Sequence, residues 1–176
     1  MDFKQLLKND FIILDGAMGT MLQAAGLEAG GIPELLNITD SELIENIHKK
    51  YIEAGSDIVY ANTFGANRYK LKNHSVDEII GAGIAIAKRA CNGKALAALD
   101  IGPIGQLLEP TGTLKFEEAY DIFKEQIIAG RDADVIVFET MTDLYELKAA
   151  VLAARENSDK PILCLSLIHI SEPTRP

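Results

Sequence analysis

Residues 57–63 read Asp57-Ile58-Val59-Tyr60-Ala61-Asn62-Thr63, a short run without polar–apolar alternation that stops on two polar side chains. Strands of a parallel sheet look like this, because helices cover both faces and leave no side to face water. Working outward, the same unit recurs. Phe11–Leu14 ends in Asp15, Ala95–Leu99 in Asp100, and Val135–Phe138 in Glu139 and Thr140. Pro161–Cys164 opens a fifth run.

Helical patterns separate these runs. Thr39 and Glu42 have capping-box spacing ahead of a stretch that reaches Ala54 and stops at Gly55. Ser75 and Glu78 repeat the arrangement before Ile79–Ala90. Phe116–Ala129 carries apolar residues at helical spacing and stops at Gly130, and Asp143 with Glu146 caps a last helix to about Arg155. Strands alternating with helices predict a parallel α/β fold. Periodicity alone leaves both a β/α barrel and a doubly wound sheet open.

The strand ends carry the functional signal. Asp15, Asn62 with Thr63, Asp100 and Glu139 all stand where a barrel gathers its active site, at the C-terminal ends of strands. Taken singly, such residues are as readily turn or helix caps. Recurrence at successive strands favours a site. The loop Asp15-Gly16-Ala17-Met18-Gly19-Thr20 adds glycines whose backbone amides can hold a carboxylate or phosphate, though Gly-x-x-Gly alone is a weak signal.

Composition narrows the classes. The chain has 176 residues, is 48% hydrophobic and carries a formal charge of -9, values of an ordinary globular protein. No basic stripe exists to neutralise phosphates, so nucleic acid is not an expected partner. Met1–Asn9 lacks the apolar stretch of a signal peptide, and no run approaches the roughly 20 apolar residues of a membrane span. Cys91 and Cys164 form no CxxC pair and no disulfide framework, which fits a reducing cytoplasm. Both cysteines read as buried structural thiols. His48 and His74 have no ligand spacing around them and read as surface or loop residues.

Six stretches in order resemble the homocysteine S-methyltransferase family. They are Asp15–Thr20, Pro33-Glu34-Leu35-Leu36-Asn37, Tyr51–Gly55, Ala61-Asn62-Thr63-Phe64-Gly65-Ala66-Asn67, Asp100-Ile101-Gly102-Pro103 and Phe138-Glu139-Thr140-Met141. The resemblance covers nearly everything from Phe11 to Cys164. It implies the N-terminal half of a (β/α)8 TIM barrel, about four βα units plus a fifth strand. It also implies transfer of a methyl group to homocysteine to form methionine. Asp15 and Glu139 resemble the residues that hold the substrate ammonium, while the amides of Gly16 and Ala17 and the hydroxyl of Thr63 resemble the carboxylate-binding group. Asn62 and Asp100 are expected to shape the rim rather than contact substrate.

The family's chemistry uses zinc to make the homocysteine sulfur a thiolate. Its three cysteine ligands lie in Gly-x-Asn-Cys and Gly-Gly-Cys-Cys motifs, and neither motif occurs in this chain. The resemblance is strongest to the branch that takes its methyl group from cobalamin, which implies downstream folate and cobalamin modules. Donors used elsewhere in the family are S-methylmethionine, betaine and folate chemistry in a fused reductase. A non-catalytic fragment is the alternative for the chain by itself. A different barrel enzyme acting on a small acid or phosphorylated substrate, with Asp15 or Glu139 as general base, requires all six matches to be coincidental.

Small departures are Ile32 in place of a frequent cysteine, a short Gly130–Asp134 turn, and Lys115 in place of a capping hydroxyl residue. From Leu165 the chain reads Leu165-Ser166-Leu167-Ile168-His169-Ile170-Ser171-Glu172-Pro173-Thr174-Arg175-Pro176. This resembles the translation of a sequencing-library adapter. Residues 1–164 are therefore expected to be the partial barrel and 165–176 a non-native tail, with His169, Glu172 and Arg175 carrying no functional weight.

Overall fold

The computed structural model describes residues 2–28 and 30–167. Its strands β1 (Ile58–Tyr60), β2 (Leu96–Ile101), β3 (Val135–Met141) and β4 (Ile162–Ser166) lie side by side in that order, all parallel. The helices are α1 (Phe3–Leu6), α2 (Met18–Ala24), α3 (Leu36–Thr39), α4 (Ser41–Glu53), α5 (Arg68–Leu71), α6 (Val76–Cys91), α7 (Phe116–Ala129) and α8 (Leu144–Asn157). A 3-10 turn, Pro33–Leu35, leads into α3. Each crossover from β1 to β4 carries a helix, the arrangement of a partial β/α barrel.

The first expected strand is less than a strand. Phe11–Leu14 runs parallel to β1 but keeps one bridge, Leu14 beside Ile58. A side chain interrupts the ladder: the Ile13 N–H donates to the Asp57 carboxylate at 2.9 Å, while the Asp57 and Ile58 N–H groups both donate to the Ile13 carbonyl. Phe11 remains 73% exposed.

Strand parity divides the side chains into two sets. Val59, Ala97, Leu99, Ile101, Ile136 and Phe138 join the larger core with α6, α7 and α8. Phe138 and Phe123 meet there edge to face, with ring centroids 6.1 Å apart. Ile58, Leu96, Ala98, Val135 and Val137 form a second core on the other face, closed at one end by Leu6 of α1. Continuing that second parity upward reaches Tyr60, Asp100 and Glu139. Apolar side chains therefore fill the lower part of this face, and polar ones its C-terminal edge.

Two buried asparagines hold that edge in place. Asn37 donates to the Asn62 carbonyl at 2.8 Å and to the Ile79 carbonyl at 3.1 Å. Asn62 donates to the Pro33 carbonyl at 2.8 Å and to the Asn37 side chain at 3.1 Å. The end of β1, the 3-10 turn and α6 are thus pinned to one another. Gly83 lets α6 come this close, since a Cβ there would stand 2.7 Å from Nδ2 of Asn37.

Local signals hold with one shift. Ser75 caps α6 and Asp143 caps α8, each by accepting from backbone N–H groups of the first turn. For α4 the cap is Asp40 rather than Thr39. Thr39 has turned back to donate to the Leu35 carbonyl, which closes α3. No side chain caps α7 at Lys115. Gly130 packs so near Leu99 that the tight turn to Ala133 admits no side chain.

His48 is not a surface residue. It is fully buried on α4, neither ring nitrogen has a partner, and burial pushes it down to about 4, so the ring is neutral. Cys91 is buried, and burial pushes its thiol up to about 12. Cys164, expected to be buried, is exposed. His169, Glu172 and Arg175 lie outside the described residues, whereas Leu165 and Ser166 continue β4. Among the described residues no helix is long and apolar enough to cross a membrane.

Replacing Asn37 with Ala leaves the Asn62 and Ile79 carbonyls without their donor. The expected loss is about 2–3 kcal/mol of stability, read as a lowered urea midpoint with an unchanged slope. A midpoint equal to that of the wild type would show that the lock is dispensable.

Candidate functional site

The C-terminal edge of the sheet borders a cavity of about 460 Å³. Asp15, Gly16, Ala17, Met18 and Gly19 line it from the first loop, Pro33 and Glu34 from the 3-10 turn, and Tyr60, Ala61, Asn62 and Phe64 from β1 and its loop. Asp100 enters from β2 and Glu139 from β3. Four of these residues carry carboxyls, and none is Lys, Arg or His.

Each acid is positioned differently. Asp15 accepts from the Tyr60 N–H at 3.0 Å through one oxygen. Glu34, buried, accepts from the Gly65 N–H at 2.6 Å. Behind it, Lys70 stacks 5.4 Å over the Phe64 ring and donates to the Pro103 carbonyl. Glu139 is half-buried at the strand end, next to a one-residue bulge: Phe138 pairs Cys164, but Met141 pairs Ser166. Thr140 absorbs the bulge with φ 58°, an uncommon value for a β-branched residue. The bulge resets parity, so Met141 returns to the helix-covered core and Glu139 keeps its place at the cavity.

Burial raises the affinity of three of these acids, Asp15, Asp100 and Glu139, for protons. Burial, opposed by the Tyr60 N–H and aided by Glu139, pushes Asp15 up to about 7. Burial also raises Glu139. Asp100 is held well above the usual carboxylate range by burial, then by Glu139, Asp15 and Glu34. Burial and the nearby carboxylates raise the Tyr60 phenol. In chemical terms the site suits a cation, and the N–H groups of the exposed residues Gly16 and Ala17, which donate to no acceptor among the described residues, suit an anion beside it.

Comparison with known proteins places the chain in a family. The sequence profile described as homocysteine S-methyltransferase matches residues 12–174. The chain belongs to this family. It is 37% identical over 174 residues to the methionine synthase of Mycobacterium tuberculosis and 35% identical to that of Mycobacterium leprae. Each alignment covers 88% of this chain but only 14% of the relative, so the chain spans about a seventh of those proteins. The apo crystal structure of homocysteine methyltransferase MmuM from Escherichia coli shares the fold, with TM-score 0.75 at 22% identity. That match covers 93% of this chain and 62% of MmuM. Its oxidized form superposes with TM-score 0.78 at 21% identity.

The family motifs are neighbours in space. Asp15, Gly16, Ala17 and Glu139, singled out from sequence, come together at one cavity. Thr63 does not join them. It is fully buried, and its hydroxyl donates to the Asp100 carbonyl at 2.8 Å while accepting from the Asp100 N–H at 3.2 Å. Asp100, expected only to shape the rim, lines the cavity itself, as do Tyr60 and Glu34. A period-two count from Ile58 and Leu96 would have found the first two. Glu34 has no such signal, because it comes from a helical turn. Gly16 is required by Tyr51, whose ring would lie 2.9 Å from a Cβ there and whose hydroxyl donates to the Ala17 carbonyl. Among the described residues, no group of three or more His, Cys, Asp or Glu is placed to hold a metal ion.

The shift at Asp15 makes stability depend on pH. Its folded value lies above the usual 3.8, so the folded chain keeps a proton that the unfolded chain has released. The associated stability is complete below about 3.8 and is lost as pH rises through about 7. Asp15→Asn stays neutral throughout and still accepts from Tyr60. Thermal midpoints should therefore fall less steeply for this variant than for the wild type across that range. Two parallel curves would show that Asp15 has an ordinary affinity for protons.

Proposed function

We propose that this chain supplies the amino-acid-holding part of a barrel whose complete form methylates homocysteine to methionine. The observation that carries the proposal is one cavity lined by Asp15, Glu139, Gly16 and Ala17, with no acceptor for the Gly16 and Ala17 N–H groups among the described residues. A zwitterionic α-amino acid presents that pair of charges, and an acid-lined wall without a basic residue favours its ammonium end. Thr63 acts indirectly in this reading: its hydroxyl clamps the backbone of Asp100.

Methylcobalamin is the proposed donor, because the curated relatives named above are methionine synthases. The folate and cobalamin modules would then lie elsewhere in the same polypeptide, in the cytoplasm. Zinc belongs to the proposal for the complete barrel only. The metallated form of MmuM supports it, while the described residues of this chain offer no cluster to receive a metal. S-methylmethionine is the second reading for the donor.

Glu139→Gln in the complete protein removes one charge-assisted contact to the ammonium. Homocysteine affinity should fall by about 1.5–3 kcal/mol, measured by calorimetry. An unchanged affinity would take Glu139 out of the site.

We also propose that residues 165–176 are foreign to the barrel, although the family profile match runs to residue 174. Sequencing the source DNA across the Cys164 codon tests this. A frame that runs on into Gly-x-Asn-Cys and Gly-Gly-Cys-Cys is expected. A frame encoding the tail and then a stop would refute it.

A further inference from the structure

We propose that Asp100 is a third carboxyl contact for the substrate's α-ammonium group, acting beside Asp15 and Glu139. The inference rests on the amino-acid reading of the cavity and extends it to a residue whose motif position had suggested only a rim role.

The argument begins with what aspartates near the strands do elsewhere in this chain. Asp57 accepts from the Ile13 N–H, Asp134 from the Ala97 N–H, and Asp15 from the Tyr60 N–H. Each satisfies part of its carboxyl on a neighbouring backbone. Asp100 does not: it is 6% exposed, and its Oδ1 is buried with no hydrogen-bond partner. A buried acceptor left unmade is destabilising, and native structures rarely keep one without a use.

The surroundings explain why no local donor reaches it. The Asp100 N–H and carbonyl are both occupied by the Thr63 hydroxyl, which fixes the backbone. The Gly102 N–H donates to the Phe64 carbonyl, Pro103 has no N–H, and the Ile104 N–H donates to Glu146 at 2.7 Å. Gly102 is itself pressed against the Phe64 ring, so this loop cannot accept a side chain there and turn differently. The opening that Asp100 borders is the cavity it lines, so a ligand there would meet the carboxyl as the buried oxygen's neighbours give way.

The chemistry of the opening selects the ligand. The groups facing Asp100 are Asp15 from the first loop, Glu34 from the 3-10 turn, Tyr60 from β1 and Glu139 from β3. Nothing cationic lines the cavity to neutralise them. An alkylammonium carries three N–H donors, and Asp15, Glu139 and Asp100 provide one carboxyl for each. Without a cation, burial and three acidic neighbours favour the protonated form of Asp100. When the ammonium enters, the carboxylate form is favoured. The O–H bond of the acid breaks, its proton passes to bulk water, and the carboxylate accepts from the ammonium.

Calorimetry on the complete protein tests this, with L-homocysteine and its desamino analogue γ-mercaptobutyrate as ligands. Titrations in phosphate and Tris report proton release, and any thiol proton is common to both ligands and cancels in the comparison. Asp100→Asn should weaken homocysteine at least about 10-fold, leave the analogue within about twofold, and reduce the homocysteine-specific proton release. Asp100→Ser replaces it if the Asn variant lacks a cooperative melt. Wild-type homocysteine affinity and proton release in the variant would overturn the role of Asp100, as would equal weakening of both ligands. A wild-type protein that binds the two ligands alike would instead reject the ammonium pocket, and with it the amino-acid reading.

Discussion

The pair Asn37 and Asn62 is the constraint on which the site depends. A buried amide must find partners for its donors and its carbonyl, and the nearest set defines where the surrounding chain can lie. Here that set is the Pro33, Asn62 and Ile79 carbonyls. Satisfying them draws the Pro33–Asn37 segment over the end of β1. Glu34 then reaches the Gly65 N–H, and the loop carrying Phe64 is held against Gly102. One wall of the cavity is thus a consequence of two side-chain amides, of which Asn62 lines the cavity and Asn37 stands behind it.

The opposite wall follows from sheet geometry. The face with Ile58, Leu96, Ala98, Val135 and Val137 is apolar through its lower part, so nothing there solvates a charge. Tyr60, Asp100 and Glu139 continue the same parity one step higher, at the edge of that low-dielectric layer. Asp15 and Asp100 are therefore desolvated and repelled by neighbouring acids, and Glu139 is desolvated, which raises the affinity of each for protons. Burial without a counter-charge favours the neutral form of Asp100, and an entering cation would favour its ionised form. Such a site responds to a cation far more than a solvated acidic surface would.

The β3 bulge reconciles two demands on adjacent residues. Glu139 has to stand at the cavity, while Met141 has to return to the core beneath α8. Strict alternation would put both on one face. The extra residue, Thr140 at positive φ, separates them at a local backbone penalty of about 1–3 kcal/mol that the buried strands on either side hold in place. Strained backbone thus sits beside a side chain implicated in binding.

The sequence by itself determined the parallel α/β plan, the helix caps at Ser75 and Asp143, the end of α7 at Gly130 and the family. These depend on neighbours within a few residues, or on motifs that survive in linear order. It also marked Asp15, Gly16, Ala17 and Glu139, since strand ends are visible as the end of an apolar run. Only the tertiary structure decided the rest. Phe11–Leu14 is a bridge because Asp57 competes for its backbone, and His48 is buried because α4 turns that face inward, facts set by residues far away in the chain. For the same reason Thr63 is bonded to the backbone of Asp100, while the Asp100 residue lines the cavity. Their hydrogen bonds run between strands, and which of two neighbouring polar groups is spent on the fold and which lines the cavity is settled only when the strands are side by side.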